Sequence, residues 1–267
     1  MRKILVVGAG YLGEEVLRVF RAAGWEAVGA SLGGGESLLA CDVGDAASVA
    51  KLPEADAVVH CAASGRGGAE AYERVYVRGC ENLVKRFPDA RLVFTSSSSV
   101  YGQKKGETVT EESEAVPDRE TGRLLLEAES VVRKAGGVVA RLSGIYGPGR
   151  SVLLRKFKSG EAVIEEDGRR FINQIHRDDA ARAVLHLISL PEFPEGEIFN
   201  VVDSVTLSQL EVYQGLARIF TKKLPPSGPR DLNRKRGWTH KQVSNAKLLG
   251  TGWEPLYPCF LDAVGGL

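Results

Sequence analysis

Three glycines near the start of the chain are the residues best spaced to do chemistry together. Gly8, Gly10 and Gly13 stand in KILVVGAGYLG, residues 3–13, with the spacing GxGxxG. Ile4, Leu5, Val6 and Val7 before them form the continuous apolar run of a strand covered on both faces. Val16, Leu17, Val19 and Phe20 after them recur at helical spacing among Glu14, Glu15, Arg18 and Arg21. In a turn between such a strand and helix, the first glycine permits a tight bend and the second lets the backbone approach a pyrophosphate. The third allows close helix–strand packing. Free N–H groups and the positive end of the helix dipole favour an anion at the same point. The motif predicts dinucleotide binding at Gly8, Gly10, Tyr11, Leu12 and Gly13; the plainer account is a turn kept for packing alone.

The choice of dinucleotide turns on the second strand, expected at Glu26–Ala30. An acidic residue at its end would bind the ribose 2′-hydroxyl of NAD. Ser31 stands there instead, followed by Leu32 and three glycines. Losing the acid clears a repulsive charge from the path of NADP, yet no basic residue replaces it. The expected cofactor is NADP or NAD, leaning slightly to NADP.

The elements that must position these residues alternate. Strands are expected at Ser37–Cys41, Ala57–Cys61, Arg91–Ser96 and Val138–Leu142, with helices over Ala69–Arg86 and Arg119–Lys134. Beyond Gly147-Pro148-Gly149 the rhythm breaks into shorter pieces, although a helix over Asp178–Ser189 and a strand over Glu197–Val202 return to the sheet. The alternation predicts an α/β fold: a doubly wound parallel sheet of the Rossmann type, binding ligand at the carboxyl ends of its strands. The dinucleotide-binding domain is placed at residues 1–147 with 170–203 returning to it. Residues 148–169 and 204–267 are assigned to a small C-terminal substrate lobe. Pro225-Pro226-Ser227-Gly228-Pro229 reads as extended surface chain.

Composition narrows the partners. A chain of 267 residues buries a sizeable core. Lys and Arg number 35 against 34 Asp and Glu, so no general pull toward nucleic acid or an anionic membrane is expected. Apolar stretches are short and broken by charge, and Arg2-Lys3 leads straight into a core strand. Neither a membrane span nor a signal peptide is expected. Cys41, Cys61, Cys80 and Cys259 lack CxxC or zinc-type spacing, so they read as small core residues in a reducing, cytoplasmic setting with no metal site.

Ordered landmarks along nearly the whole chain resemble the epimerase/dehydratase branch of the extended short-chain dehydrogenase/reductases. Besides the glycine turn, Asp42-Val43 is similar to the pair that contacts adenine in that family. Residues 56–63, ending in Cys61-Ala62-Ala63, resemble its strand and small-residue turn beside the cofactor's phosphates and ribose. Phe94-Thr95-Ser96-Ser97-Ser98-Ser99-Val100-Tyr101-Gly102 resembles the active-site segment, and residues 141–149, containing Tyr146-Gly147-Pro148, the start of the substrate lobe. Ile175-His176-Arg177-Asp178-Asp179-Ala180 and Phe199-Asn200-Val201 match later landmarks. The resemblance implies an NAD(P)-binding fold and, by the family's usual contact, a homodimer through helices 69–86 and 119–134. The charge on the first of these leaves a monomer equally open.

The departures from that pattern bear on activity. Valine replaces a usual glycine at Val7, and Tyr76 stands where the family has asparagine. The family's catalytic tyrosine and lysine fall on Thr121 and Leu125. Threonine is far too weak an acid to exchange a proton while hydride moves, and leucine carries no charge. The Thr121-Gly122-Arg123 pattern is similar to the atypical YeeZ-type members. A literal Tyr-x-x-x-Lys exists at Tyr101 and Lys105, but Gly102 and Gly106 favour a loop there, and the pair shares a face only in a helix.

The remaining catalytic candidates are Ser97, Tyr101 and Tyr146, with Ser98, Arg123 and His176 as substrate contacts. Each has a structural alternative. Ser97 can satisfy a strand end, Tyr101 can line the pocket, Arg123 can pair with Glu127, and Asp178 or Asp179 can cap the helix behind His176. Arg230, Arg234, Lys235 and Arg236 either meet a substrate phosphate or form a solvated face. Two functions stay open. One is an NAD(P)-dependent oxidoreductase or epimerase acting on a small polar or sugar-like substrate; the other is a non-catalytic NAD(P)-binding sensor or regulatory protein.

Overall fold

Seven parallel strands form the sheet that the alternating apolar runs predict, in the order β12-β7-β5-β4-β1-β2-β3. They are β1 (Lys3–Val7), β2 (Glu26–Ser31), β3 (Leu38–Ala40), β4 (Ala57–His60), β5 (Arg91–Ser97), β7 (Val138–Leu142) and β12 (Ile198–Val201). The computed structural model describes residues 1–65, 67–230 and 238–267. From β1 the chain winds outward through β2 and β3, then returns to the other side of β1 with β4 and winds outward again. The switch point lies between β1 and β4, which pair from Ile4 opposite Ala57 to Val7 opposite His60. Ligands of doubly wound sheets enter at such a point, beyond the carboxyl ends of the strands.

The continuous apolar run of β1 has a physical cause. Ile4 and Val6 feed one core, with Val16 and Phe20 of α1 (Gly13–Ala22) and Val184 and Leu187 of α7 (Arg177–Ser189). Leu5 and Val7 feed the other, with Ala128 and Val132 of α5 (Glu120–Lys134). Helix 69–86 covers the same second face. It consists of α3 (Ala69–Tyr72), a π-helical stretch Glu73–Arg78 and α4 (Gly79–Arg86), where the sequence predicts one regular helix.

Short elements complete the chain. A small helix, α2 (Ala46–Val49), follows β3, capped by Asp45. Two parallel pairs stand near the sheet's carboxyl edge: β6 (Glu107–Val109) with β15 (Lys241–Val243), and β8 (Gly144–Tyr146) with β11 (Gln174–His176). Also paired are β9 (Ile164–Glu165) with β14 (Ser227–Gly228), and β10 (Phe171–Ile172) with β13 (Leu207–Ser208). Two- and three-residue strands carry no periodicity of their own, so the sequence does not announce them.

A third core gathers the shorter elements that follow β8. Leu154 and Phe157 of α6 (Val152–Ser159) meet Val212, Tyr213 and Leu216 of α8 (Gln209–Ile219) and Phe260 of α10 (Phe260–Ala263). Ser151 caps α6 through the Leu154 N–H, and Ser208 with Glu211 closes a capping box on α8. Leu248 of α9 (Ala246–Leu249) and Trp253 join the first core although they follow α8 in the chain. No helix among the described residues is long and apolar enough to cross a membrane.

Candidate functional site

The three glycines divide their work as the motif requires. Gly8 has φ of 99°, donates its N–H to the Ala30 carbonyl at 2.8 Å, and would place a Cβ 2.1 Å from the Ala62 nitrogen. A Cβ on Gly13 would lie 2.2 Å from the Gly8 oxygen. Both positions are fixed by packing. A Cβ on Gly10 would meet nothing within 4 Å. Open space therefore lies over Gly10, where backbone can approach a ligand. The N–H groups of Tyr11, Leu12 and Gly13 reach no backbone acceptor among the described residues, whereas that of Glu14 already bonds the Gly10 carbonyl. Free donors at the start of α1 and a bare backbone in front of them fit a pyrophosphate.

The rim of this turn is cationic. The Arg150 and Arg177 guanidiniums both lie over the Tyr11 ring, 5.0 and 5.2 Å from its centroid. Its hydroxyl donates to the Pro148 carbonyl at 3.2 Å, tying the glycine turn to the start of the smaller lobe. Arg177 also meets Asp178 at 2.9 Å and Glu15 at 3.5 Å. Leu12 is buried beneath the turn.

At the expected adenosine end, the Ser31 hydroxyl donates to the Gly34 carbonyl at 3.2 Å. Asp42 accepts the Gly44 N–H at 3.0 Å with one oxygen and meets the Arg74 guanidinium with the other. Its carboxylate is thus partnered within the protein. Val43 is buried, and its carbonyl accepts from the Asn82 side chain at 2.9 Å. Beyond β4, Cys61 bonds Val7 through its N–H, and burial pushes its thiol up to about 12, so it stays protonated. Ala62 donates its N–H to His60 Nδ1 at 3.3 Å, and Ala63 is exposed beside it.

The catalytic candidates separate. Ser97 ends β5, half-buried, and its Oγ accepts the Ser99 N–H at 3.2 Å, capping a 3-10 turn over Ser98–Val100. Ser98 Oγ lies 3.1 Å from Ser143 Oγ in the core. Tyr101 is 0% exposed; its hydroxyl donates to Asn200 at 2.9 Å and accepts from Arg141 at 2.8 Å. That oxygen is engaged inside the second core, at the tyrosine the sequence offered as a pocket-lining residue ahead of a proton donor. Lys105 is exposed in a loop, so the literal Tyr-x-x-x-Lys shares no helical face.

Tyr146 is 1% exposed and donates to Asp203 at 3.0 Å. Burial, with Asp203 adjacent, pushes its hydroxyl up, and its ring meets His176 edge-on at 5.3 Å. Its hydroxyl too is occupied. His176 is the cap of α7, taking the Asp178 N–H on Nδ1 at 3.3 Å, where the sequence suggested Asp178 or Asp179. Asp179 is buried instead and accepts the N–H groups of Leu256 and Tyr257 at 2.6 and 2.9 Å.

Thr121 is half-buried in the first turn of α5, and Leu125 is buried in the second core. Arg123 is exposed and makes no ion pair with Glu127 among the described residues. Arg230 pairs with Glu166 at 2.7 Å and stacks on Trp238, while Arg234, Lys235 and Arg236 lie outside the described residues.

Three groups near the site went unread in the sequence. Glu129 and Arg141 form a buried pair at 2.6 Å, joined by the Ser96 hydroxyl. Asp203, pushed well up by burial, accepts from Tyr146 and from the His176 N–H. Lys241 is buried on β15. Glu129 at an inward helical position was the one available signal. Lys241 gave none, because a charged residue on a strand ordinarily faces water.

A doubly wound α/β protein with an anion cradle at its switch point is the class this geometry defines. The chain belongs to the NAD dependent epimerase/dehydratase family, whose pattern matches residues 4–201. It is 29% identical to the protein YeeZ of Escherichia coli K12 over 284 aligned positions, covering 97% of each chain. It is 25% identical to the 2′-dehydrokanamycin reductase of Streptomyces kanamyceticus, covering 96% of this chain and 76% of that one. Among solved structures, the human epimerase family protein SDR39U1 with NADPH superposes with a TM-score of 0.81 at 19% identity. That likeness covers 98% of this chain and 97% of the other, and speaks for the fold alone.

Proposed function

We propose that this chain binds a nicotinamide dinucleotide at the glycine turn, NADP ahead of NAD. It uses the cofactor as an oxidoreductase or epimerase acting on a small polar or sugar-like substrate, without the usual tyrosine–lysine pair. The open space over Gly10, in front of the free N–H groups of α1, carries the first half of this reading. Family membership and the reductase relative support the second. Ser31, which brings no charge against a 2′-phosphate, supports the lean to NADP. When bound, the cofactor supplies hydride transfer. Ser97, at the carboxyl end of β5 with its hydroxyl proton uncommitted among the described residues, is left to hydrogen-bond the substrate oxygen.

A second reading has its own observation. Both tyrosine hydroxyls proposed for proton transfer are engaged in the interior, as suits an NAD(P)-binding sensor that has lost turnover. Screening polar and sugar-like carbonyl and hydroxyl compounds against NADPH and NADH, by nicotinamide absorbance, separates the two. The enzyme reading expects turnover that Ser97→Ala abolishes while cofactor binding persists. Intact cofactor binding with no turnover on any compound transfers support to the sensor.

A further inference from the structure

A lysine without a counter-ion among the described residues lies at the carboxyl edge of the sheet. Lys241 opens β15, opposite Glu107 of β6. Its backbone is held from two sides. The Asn173 side chain donates to the Lys241 carbonyl at 2.9 Å and accepts the Val243 N–H at 2.8 Å. On the other flank the His240 carbonyl accepts the Gly106 N–H at 2.8 Å, and the His240 N–H donates to the Gln103 carbonyl at 3.1 Å. The side chain turns inward, leaving the residue 3% exposed. Its ammonium donates to the Tyr101 carbonyl at 2.5 Å, its one acceptor among the described residues.

An ammonium carries three N–H donors, so two are left without an acceptor among the described residues. The charged groups on the surrounding elements are engaged elsewhere. Glu107 accepts the Lys105 N–H, Glu111 accepts the Asn200 N–H, and Arg141 is paired with Glu129. His240 Nδ1 accepts the Phe171 N–H, and the Tyr101 hydroxyl is bonded to Asn200. With no anion to offset the loss of solvent, burial pushes the Lys241 ammonium down to about 8. A buried cation of this kind is costly until an anion joins it.

It sits at the carboxyl edge of the sheet, where doubly wound folds take their ligands. Tyr101 follows Ser97 closely, and Ser97 ends β5 at the sheet's carboxyl edge. Gln103 and Gln174 carry buried side-chain oxygens without a partner, acceptors for a donor on the ligand rather than for its carboxylate. Just past β15, Asn245 bonds the Val202 carbonyl at the end of β12 at 2.9 Å. One cation matches one negative charge. A phosphate dianion would leave surplus buried charge, whereas a carboxylate leaves none and offers two oxygens to two donors.

We propose that Lys241 is the anion-binding residue of the substrate site, its two free N–H groups receiving a carboxylate carried by the substrate. This rests on the substrate-binding reading of the proposed function, and its test is run without cofactor so that the two are judged separately. The full chain is reductively methylated with formaldehyde over a pH series, and modification of each lysine is read by peptide mass spectrometry. Acetate is the probe and inorganic phosphate the contrast. Lys241 is expected to react in the folded chain with a midpoint near 8. Acetate at ten times its own dissociation constant slows that reaction about tenfold and leaves surface lysines unchanged. Lys241→Met is expected to keep the fold and lose the acetate-dependent rise in Tm. The proposal is overturned if Lys241 stays unmodified until unfolding, reacts without protection by acetate, or is protected better by phosphate.

Discussion

His60 donates from Nε2 to the Val75 carbonyl at 2.9 Å, reaching from the end of β4 into the π-helical stretch of the helix that covers it. The Ala62 N–H can only donate, so His60 Nδ1 must accept it, and that fixes a neutral imidazole with its proton on Nε2. One buried ring thus joins the wide helical turn to the small-residue loop beside the cofactor cradle. Wide turns of this kind recur at functional sites.

Burial pushes the His60 imidazole down to about 4, below its value of 6.5 in an unfolded chain. The neutral form is native, so stability is full above about pH 6.5 and falls as pH drops toward 4. The largest loss is about 3 kcal/mol, since each tenfold change in proton affinity is worth about 1.4 kcal/mol. Urea denaturation of the natural chain and His60→Gln across that window checks it. The natural chain should lose more stability by that amount, and parallel curves would remove His60 from the account.

The buried Glu129–Arg141 pair predicts a non-additive cycle. Arg141 donates to both Glu129 oxygens and to Tyr101, and Glu129 also accepts the Ser96 hydroxyl at 2.6 Å. Arg141→Met alone strands a buried carboxylate and is expected to cost about 3–5 kcal/mol. Adding Glu129→Leu should recover much of that loss, since the charge without a partner is what costs. Chemical denaturation of the four chains gives the coupling.

Tyr146→Phe removes the donor that Asp203 faces at 3.0 Å. Asp203 is 3% exposed, so an oxygen left without that partner should cost about 1–3 kcal/mol. Thermal unfolding reads the loss. The same change would abolish turnover without lowering Tm if Tyr146 served catalysis alone.

Much of the fold was legible because strand and helix patterns were strong. The run Val138–Leu142 became β7 with no change in its ends, since both faces of that strand are buried. The π-helical stretch was not legible, because its bond to His60 is a contact with another element, β4, that periodicity does not report. The glycine turn could be read residue by residue, each glycine answering to a separate steric demand. The catalytic tyrosines could not. Tyr101 and Tyr146 owe their settings to Arg141, Asn200 and Asp203, contacts between segments far apart in the chain. Lys241 was invisible for the same reason: its burial comes from a three-residue strand paired with β6.

The glycines separate binding from folding. Gly8→Ala and Gly13→Ala would drive a Cβ against backbone at 2.1 and 2.2 Å and should destabilise the chain. Gly10→Ala meets no protein atom, so its Tm should match the natural chain.

Titration calorimetry of the natural chain and Gly10→Ala with NADPH and NADH, side by side, tests the central claim most directly. The account predicts that the natural chain binds, NADPH ahead of NADH, and that Gly10→Ala loses binding at unchanged Tm. Failure of the natural chain to bind either cofactor, or equal binding by Gly10→Ala, would contradict it.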